Sequence, residues 1–250
     1  MKRRFFTALR LTVAAIVAAT LFMPFTASAA AAATNVREAQ TIMKKFGIPT
    51  GDVDGVYGPQ TARGLCAVRA MANYTPSRNN VDAKLMAKLR DWNKYSSLNK
   101  IAAPKLDGQS TYLLVLQRCQ AILYVADGKF ARIMAASTGM NAQQSDDGED
   151  HRTPTIATRL GYTNRGWSCS TIYPESCRNH TEGMNAKYGK YGNMYNKRQI
   201  VGDVLLHGST DVPPRPASHG CVRVTITDSD WMFKNVGNGP KPYIKIVGSY

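Results

Sequence analysis

The stretch TYLLVLQRCQAILYVADGKFARIMAA, from Thr111 to Ala136, decides the fold. It holds three apolar runs, Thr111–Leu116, Ala121–Val125 and Phe130–Ala136, rich in the aliphatic and aromatic residues that strands favour. Asp127-Gly128 separates the second run from the third, a hairpin signature, and Ser137-Thr138-Gly139 ends that hairpin. Downstream, Ile200–Leu206, Val222–Ile226 and Tyr243–Val247 also read as strands, and Asp228–Val236 as one short helix. The spacing predicts an antiparallel, mostly β domain over residues 109–250.

Upstream the periodicity changes. Val36, Ile42, Met43 and Phe46 recur at helical spacing, with Gly47 where a C-cap glycine belongs. Thr61–Met71, with Thr61 as N-cap, and Val81–Trp92 read as two further helices. Residues 34–95 therefore form a small helical domain, and the polar stretch 96–108, which includes Pro104, reads as a linker.

Lys2, Arg3, Arg4 and Arg10 precede an apolar run of 15 residues, Leu11–Phe25, and then Ala27-Ser28-Ala29. This is the pattern of a secretory signal peptide over residues 1–29, and the run is short for a membrane span. No later stretch is apolar enough to cross a bilayer, so no stable membrane span is expected once the leader is cleaved. An exported chain that still carries about +11, after the leader's four basic residues are set aside from +15, suits a polyanionic surrounding. Charge alone does not choose between nucleic acid and an anionic cell wall. Export favours the wall, and no nucleic-acid motif is present.

Cys221 stands in Ser218-His219-Gly220-Cys221-Val222-Arg223, fourteen residues after His207 in His207-Gly208. A free thiol is only a few per cent ionised at neutral pH, so a nucleophilic cysteine needs a base and donors for the oxyanion it creates. A histidine upstream and a glycine directly before the cysteine supply both in principle. Two other readings stay open: Cys221 as half of a structural disulfide, or His207, His219 and Cys221 as zinc ligands. Against the second, no CxxC pair, HExxH or carboxylate at ligand-like spacing is found. Five cysteines in an oxidising compartment leave one thiol over. Cys169 and Cys177 are spaced for a local bridge, and Cys66 would then pair with Cys119 by elimination, although four cysteines allow three connectivities.

These motifs carry a resemblance. The His-Gly and SHGCVR segments resemble the signature of L,D-transpeptidases with a YkuD-like catalytic domain, enzymes that remodel peptidoglycan. Arg152-Thr153-Pro154-Thr155 resembles that family's TPTG-like turn. Asp54-Gly55-Val56-Tyr57-Gly58-Pro59-Gln60-Thr61 resembles the loop of a three-helix peptidoglycan-binding domain. The fold implied is two domains, three helices followed by a mostly β, sandwich-like catalytic domain. The resemblance implies Cys221 as nucleophile, His207 as base and the Gly208 carbonyl as the group that orients it. It implies Ser218, His219, Gly220 and Arg223 at the oxyanion hole or substrate, with Gly220 and Cys221 as backbone donors, and Asp54, Gly55, Tyr57 and Gly58 toward peptidoglycan. His219, two residues from Cys221, would share a face with it if the segment were a strand. His151 and His180 sit in polar loops and are read as uninvolved.

The reaction implied is acyl transfer through a thioester, releasing D-Ala from a donor tetrapeptide, with no metal or organic cofactor. Peptidoglycan stem peptides and glycan are the expected partners, in the cell envelope, and carbapenem-type inhibitors are expected to acylate the thiol. An L,D-carboxypeptidase would use the same residues with water as acceptor, and an inactive wall-binding protein is the third reading. The chain departs from the family in three places. Only ten residues separate His207 from Ser218, among them Pro213, Pro214 and Pro216. Ile156 stands where glycine is common, and residues 168–197 are atypical.

Overall fold

The structure, a computed structural model, describes residues 25–169, 193–236 and 241–248. Most of the leader and Cys177, His180 and residues 170–192 of the atypical stretch lie outside these.

Three helices open the described chain: α1 (Phe25–Lys45), α2 (Pro59–Met71) and α3 (Ala83–Asn93). The end of α1 follows from Gly47. Its N–H reaches the Lys44 carbonyl at 3.0 Å and the Ile48 N–H reaches Met43 at 2.9 Å, the paired bonds of a Schellman cap. Asp82 caps α3 by accepting from the Leu85 N–H at 2.8 Å. The second helix starts earlier than predicted, with Gly58 as N-cap and Pro59 in the first turn. Thr61 is therefore inside the helix, its hydroxyl buried against Gln40.

Nine strands follow: β1 (Tyr112–Leu116), β2 (Ala121–Ala126), β3 (Lys129–Ser137), β4 (Ile156–Arg159), β5 (Trp167–Ser168), β6 (Met194–Val201), β7 (Val204–Ser209), β8 (Val222–Thr225) and β9 (Tyr243–Val247). They form one sheet in the order β4-β9-β1-β2-β3-β8-β7-β6-β5. Beyond β4 the chain bonds to β6, through Gly161 N–H to Gln199 O at 2.7 Å and Gln199 N–H to Tyr162 O at 3.0 Å, so the sheet curls until its two ends meet. A last helix, α4 (Ile226–Asn235), begins where Thr225 caps the Asp228 N–H at 3.0 Å.

Three expectations about the strands change. The run Ile200–Leu206 is two strands, because Gly202-Asp203 turns the chain between β6 and β7. Ile226 belongs to a helix, not to the preceding strand. The sheet is mixed rather than antiparallel: β1 pairs parallel with β9, and β7 parallel with β8. A parallel pair needs a long crossover, and residues 210–221 provide it.

Strand alternation divides the core. Tyr112, Leu116, Ala121, Leu123 and Val125 face the helices and share one cluster with Ile42, Leu65, Leu85 and Trp92. Leu113, Val115, Ile122 and Tyr124 face the inside of the curl, with Leu206, Val222, Val224 and Met232 of α4. The helices therefore cover the outer face of the sheet. Leu98 and Ile101, in the predicted linker, are buried in the first cluster. The disulfide Cys66–Cys119 ties α2 to the turn between β1 and β2, with Cα atoms 5.3 Å apart. Cys169 is also disulfide-bonded, and its expected partner Cys177 lies outside the described residues.

Candidate active site

The parallel pair β7–β8 carries the site. Leu206 aligns with Val222 and His207 with Arg223. Leu206, Val222 and Val224 enter the inner core, so alternation puts His207 and Arg223 on the opposite face of the sheet, and Cys221 immediately precedes β8. Two separated sequence motifs thus become neighbours.

His207 is buried, and its Nδ1 lies 3.0 Å from the Gly208 carbonyl. A carbonyl only accepts, so Nδ1 carries the proton of the neutral ring and Nε2 keeps its lone pair. Burial pushes the His207 pKa down to about 4; the Gly208 bond opposes this, while the charges of Arg223 and Lys197 add to the fall. Gly208 has a steric reason as well. A Cβ there would stand 2.8 Å from that of Ser229 on α4, so only glycine lets the helix approach so closely.

Cys221 is the free cysteine of the described residues and is half-buried. Burial pushes its thiol above the ordinary value. A backbone hydrogen bond at Leu205 and the charges of Arg223 and Lys197 pull it down, and Asp203 adds to the rise. The thiol faces the Asp203 carbonyl at 3.8 Å. At neutral pH the resting site holds a protonated thiol and a neutral imidazole.

The turn that presents Cys221 is held from several sides. The Ser218 hydroxyl donates to the Cys221 carbonyl at 2.5 Å and closes the turn on itself. Gly220 has φ +105, a conformation that favours glycine. Thr153 is buried, and its hydroxyl accepts from the Gly139 N–H and donates to the Gly220 carbonyl, each at 2.8 Å. The end of β3 holds the incoming loop, with Ser137 Oγ donating to Arg215 O at 2.7 Å and the Ala217 and Ser218 N–H groups donating to Thr138 O. The Ser-Thr-Gly and Thr-Pro-Thr motifs are thus the two clamps of the nucleophile turn.

A model of the YkuD L,D-transpeptidase catalytic domain matches residues 110–244, which span this sheet and this site. The chain belongs to the YkuD family of L,D-transpeptidases.

It is therefore an enzyme of the L,D-transpeptidase type. Among solved structures, the L,D-transpeptidase of Xylanimonas cellulosilytica DSM 15894 is 24% identical, covers 85% of this chain and 92% of that one, and superimposes with a TM-score of 0.51. That of Stackebrandtia nassauensis is 15% identical over 86% and 91%, with a TM-score of 0.42. L,D-transpeptidase 3 of Mycobacterium tuberculosis, described in complex with a faropenem-derived adduct, is 14% identical over 56% and 61%, with a TM-score of 0.41. The first supports the fold. No curated protein matches the chain.

The remaining predicted residues of this L,D-transpeptidase divide. Arg223 stands 3.5 Å from Asp211 and within electrostatic reach of both His207 and Cys221. His219 lies in a turn, not a strand, so strand alternation does not apply to it. Its ring packs against His151, with centroids 4.6 Å apart, which gives the supposedly uninvolved His151 a place beside the site. Lys197 was not singled out from sequence and had no local signal, since one lysine on a strand looks like any other. In the helical domain, the Asp54 carboxylate accepts from Gln40 Nε2 and the Val56 N–H, each at 2.8 Å. Gly55 N–H donates to Gln40 Oε1, and Tyr57 Oη donates to Arg78 O. The Gln40 bonds hold the DGxYGPxT loop against α1, the Tyr57 bond ties it to the segment between α2 and α3, and Gly58 starts α2. Among the described residues no helix is long and apolar enough to cross a membrane.

Proposed function

We propose that this protein cross-links peptidoglycan by cysteine-dependent L,D-transpeptidation. The observation that carries the reading is the His207 ring, fixed by the Gly208 carbonyl with Nε2 free to take a proton, on the strand paired with β8, whose first residue follows Cys221. Cys221 Sγ attacks the amide carbonyl at the third residue of a donor tetrapeptide as its proton passes to His207 Nε2. The tetrahedral oxyanion collapses, the C–N bond breaks, and His207 returns the proton to the departing D-Ala amine. An acceptor amine then attacks the thioester, gives its proton to His207 and restores the thiol.

The backbone N–H groups of Gly220 and Cys221 are the oxyanion donors of this reading, supported by the turn that fixes them. Arg223 and Lys197 supply positive charge that favours both thiolate and oxyanion. The Gly208 carbonyl takes the place a carboxylate holds in other triads. The leader-like N-terminus and the basic composition support export to the cell envelope. The resemblance of the α1–α2 loop supports binding of the helical domain to peptidoglycan, which would raise the catalytic domain's local concentration on the polymer.

The test is incubation of the mature protein with disaccharide-tetrapeptide, read by mass spectrometry. A dimer lacking one D-Ala is the expected product. A tripeptide monomer alone would make the enzyme an L,D-carboxypeptidase, and no product, with Cys221 unmodified by a carbapenem, would overturn the reading.

A further inference from the structure

Asp147 and His151 have no role in the chemistry above, yet the fold brings them against His219. One ligand atom from each lies within 4.8 Å of the other two. His151 Nε2 is 2.8 Å and 3.0 Å from the two Asp147 carboxylate oxygens. The His151 and His219 rings meet edge to face, and Asp146 Oδ1 stands 3.4 Å from His219 Nε2. The two imidazoles are partly buried, with side chains 17% and 28% exposed.

The arrangement is built into the backbone. His151 N–H donates to Met140 O at 3.0 Å, Met140 N–H donates to Ser218 O at 2.9 Å, and Thr153 holds Gly220. The excursion between β3 and β4, which carries Asp147 and His151, is thus fastened to the turn that carries His219. The Asp147 carboxylate also accepts from the Ser145 hydroxyl at 2.5 Å and the Glu149 N–H at 2.9 Å, which fix its position in the loop.

We propose that Asp147, His151 and His219 form a binding site for a divalent transition-metal ion, zinc above all, beside the turn that presents Cys221. Two imidazoles and a carboxylate are a zinc donor set, whereas calcium and magnesium select oxygen ligands. Ligand atoms about 2.1 Å from a tetrahedral zinc stand roughly 3.4 Å apart, so small side-chain movements from the present separations close the site. Asp146 or a water completes four-coordination. The bound ion bridges the 141–152 segment to the nucleophile turn without joining the acyl transfer. The site stands independently of which acceptor the enzyme uses.

The experiment uses the full chain carrying Cys221→Ser, which removes the thiol as a competing ligand. Zinc is titrated by calorimetry and cobalt(II) by visible absorption, and the zinc-loaded wild type is examined by X-ray absorption at the zinc edge. One ion per chain, a four-coordinate cobalt spectrum and imidazole scattering without sulfur are expected. His151→Ala and Asp147→Asn should each weaken binding at least about tenfold. Absence of binding, affinity unchanged by both substitutions, or sulfur at the metal would overturn the proposal. Should His151→Ala fail to fold, Asp147→Asn, in an exposed loop, decides alone.

Discussion

The Arg63 guanidinium, on the second helix, donates to the Val212 carbonyl at 3.1 Å, in the crossover loop that leads to Cys221. The same Nη2 reaches Ala136 O on β3 at 3.2 Å. Arg63 is buried, and among the described residues no carboxylate hydrogen-bonds to it. Burial pulls its pKa down to about 10, with the charge of Arg78 adding to the fall. The helical domain therefore grips the proline-rich loop of the catalytic domain directly.

Arg63→Met should loosen that grip. It removes a poorly solvated charge but leaves two carbonyls without a donor, so the net stability change stays within about 2 kcal/mol. The acylation rate of Cys221 by a carbapenem should fall about tenfold, because the loop no longer fixes the nucleophile. Thermal melting and stopped-flow acylation separate the two effects; an unchanged rate would confine Arg63 to stability.

Thr153→Val keeps the shape of the side chain and loses the hydroxyl that links Gly139 N–H to Gly220 O. Two buried backbone groups then go unpaired, at about 1–3 kcal/mol each. Urea denaturation should show a loss of roughly 2–4 kcal/mol, largely recovered by Thr153→Ser. Equal stability of the valine and serine variants would refute the clamp.

The buried His207 makes the fold acid-sensitive. Its folded pKa, about 4, lies below the unfolded value of about 6.5, so the unfolded chain takes up the proton first. Stability from this group is fully present above about pH 6.5 and declines toward pH 4, by as much as about 3 kcal/mol. His207→Gln should flatten that part of the stability–pH curve. In the active enzyme, the acid limb of the acylation rate should likewise fall near pH 4, and a limb near 6.5 would show an ordinary, solvated histidine.

Reducing Cys66–Cys119 frees a segment spanning a sequence separation of 53. The loop-entropy relation puts the loss at about 4 kcal/mol. Denaturant midpoints of the Cys66→Ser, Cys119→Ser double variant test this, and a loss below about 1 kcal/mol would mean that the packing of α2 on the sheet suffices.

Much of this molecule is local in origin. The hairpin at Asp127-Gly128, the cap at Gly47 and the alternation of β1 and β2 each depend on a few adjacent residues, and each is visible in the chain. The split of Ile200–Leu206 and the early start of α2 were legible in principle, through Gly202-Asp203 and Pro59. The parallel pairing of β7 with β8 was not, because strand direction depends on a crossover whose path is set by distant anchors, Thr138, Ser137 and Arg63.

By itself, the sequence determined the strand-forming runs, the three helices and the pairing of His-Gly with Ser-His-Gly-Cys as one chemical unit, because residue type and period 2 or 3.6 are local properties. Tertiary structure alone decided which face His207 and Arg223 share and how far burial lowers the base's pKa. It alone made Thr153 a clamp and brought Asp147 and His151 against His219. Those outcomes depend on contacts between segments dozens of residues apart, and on how much solvent the folded chain excludes.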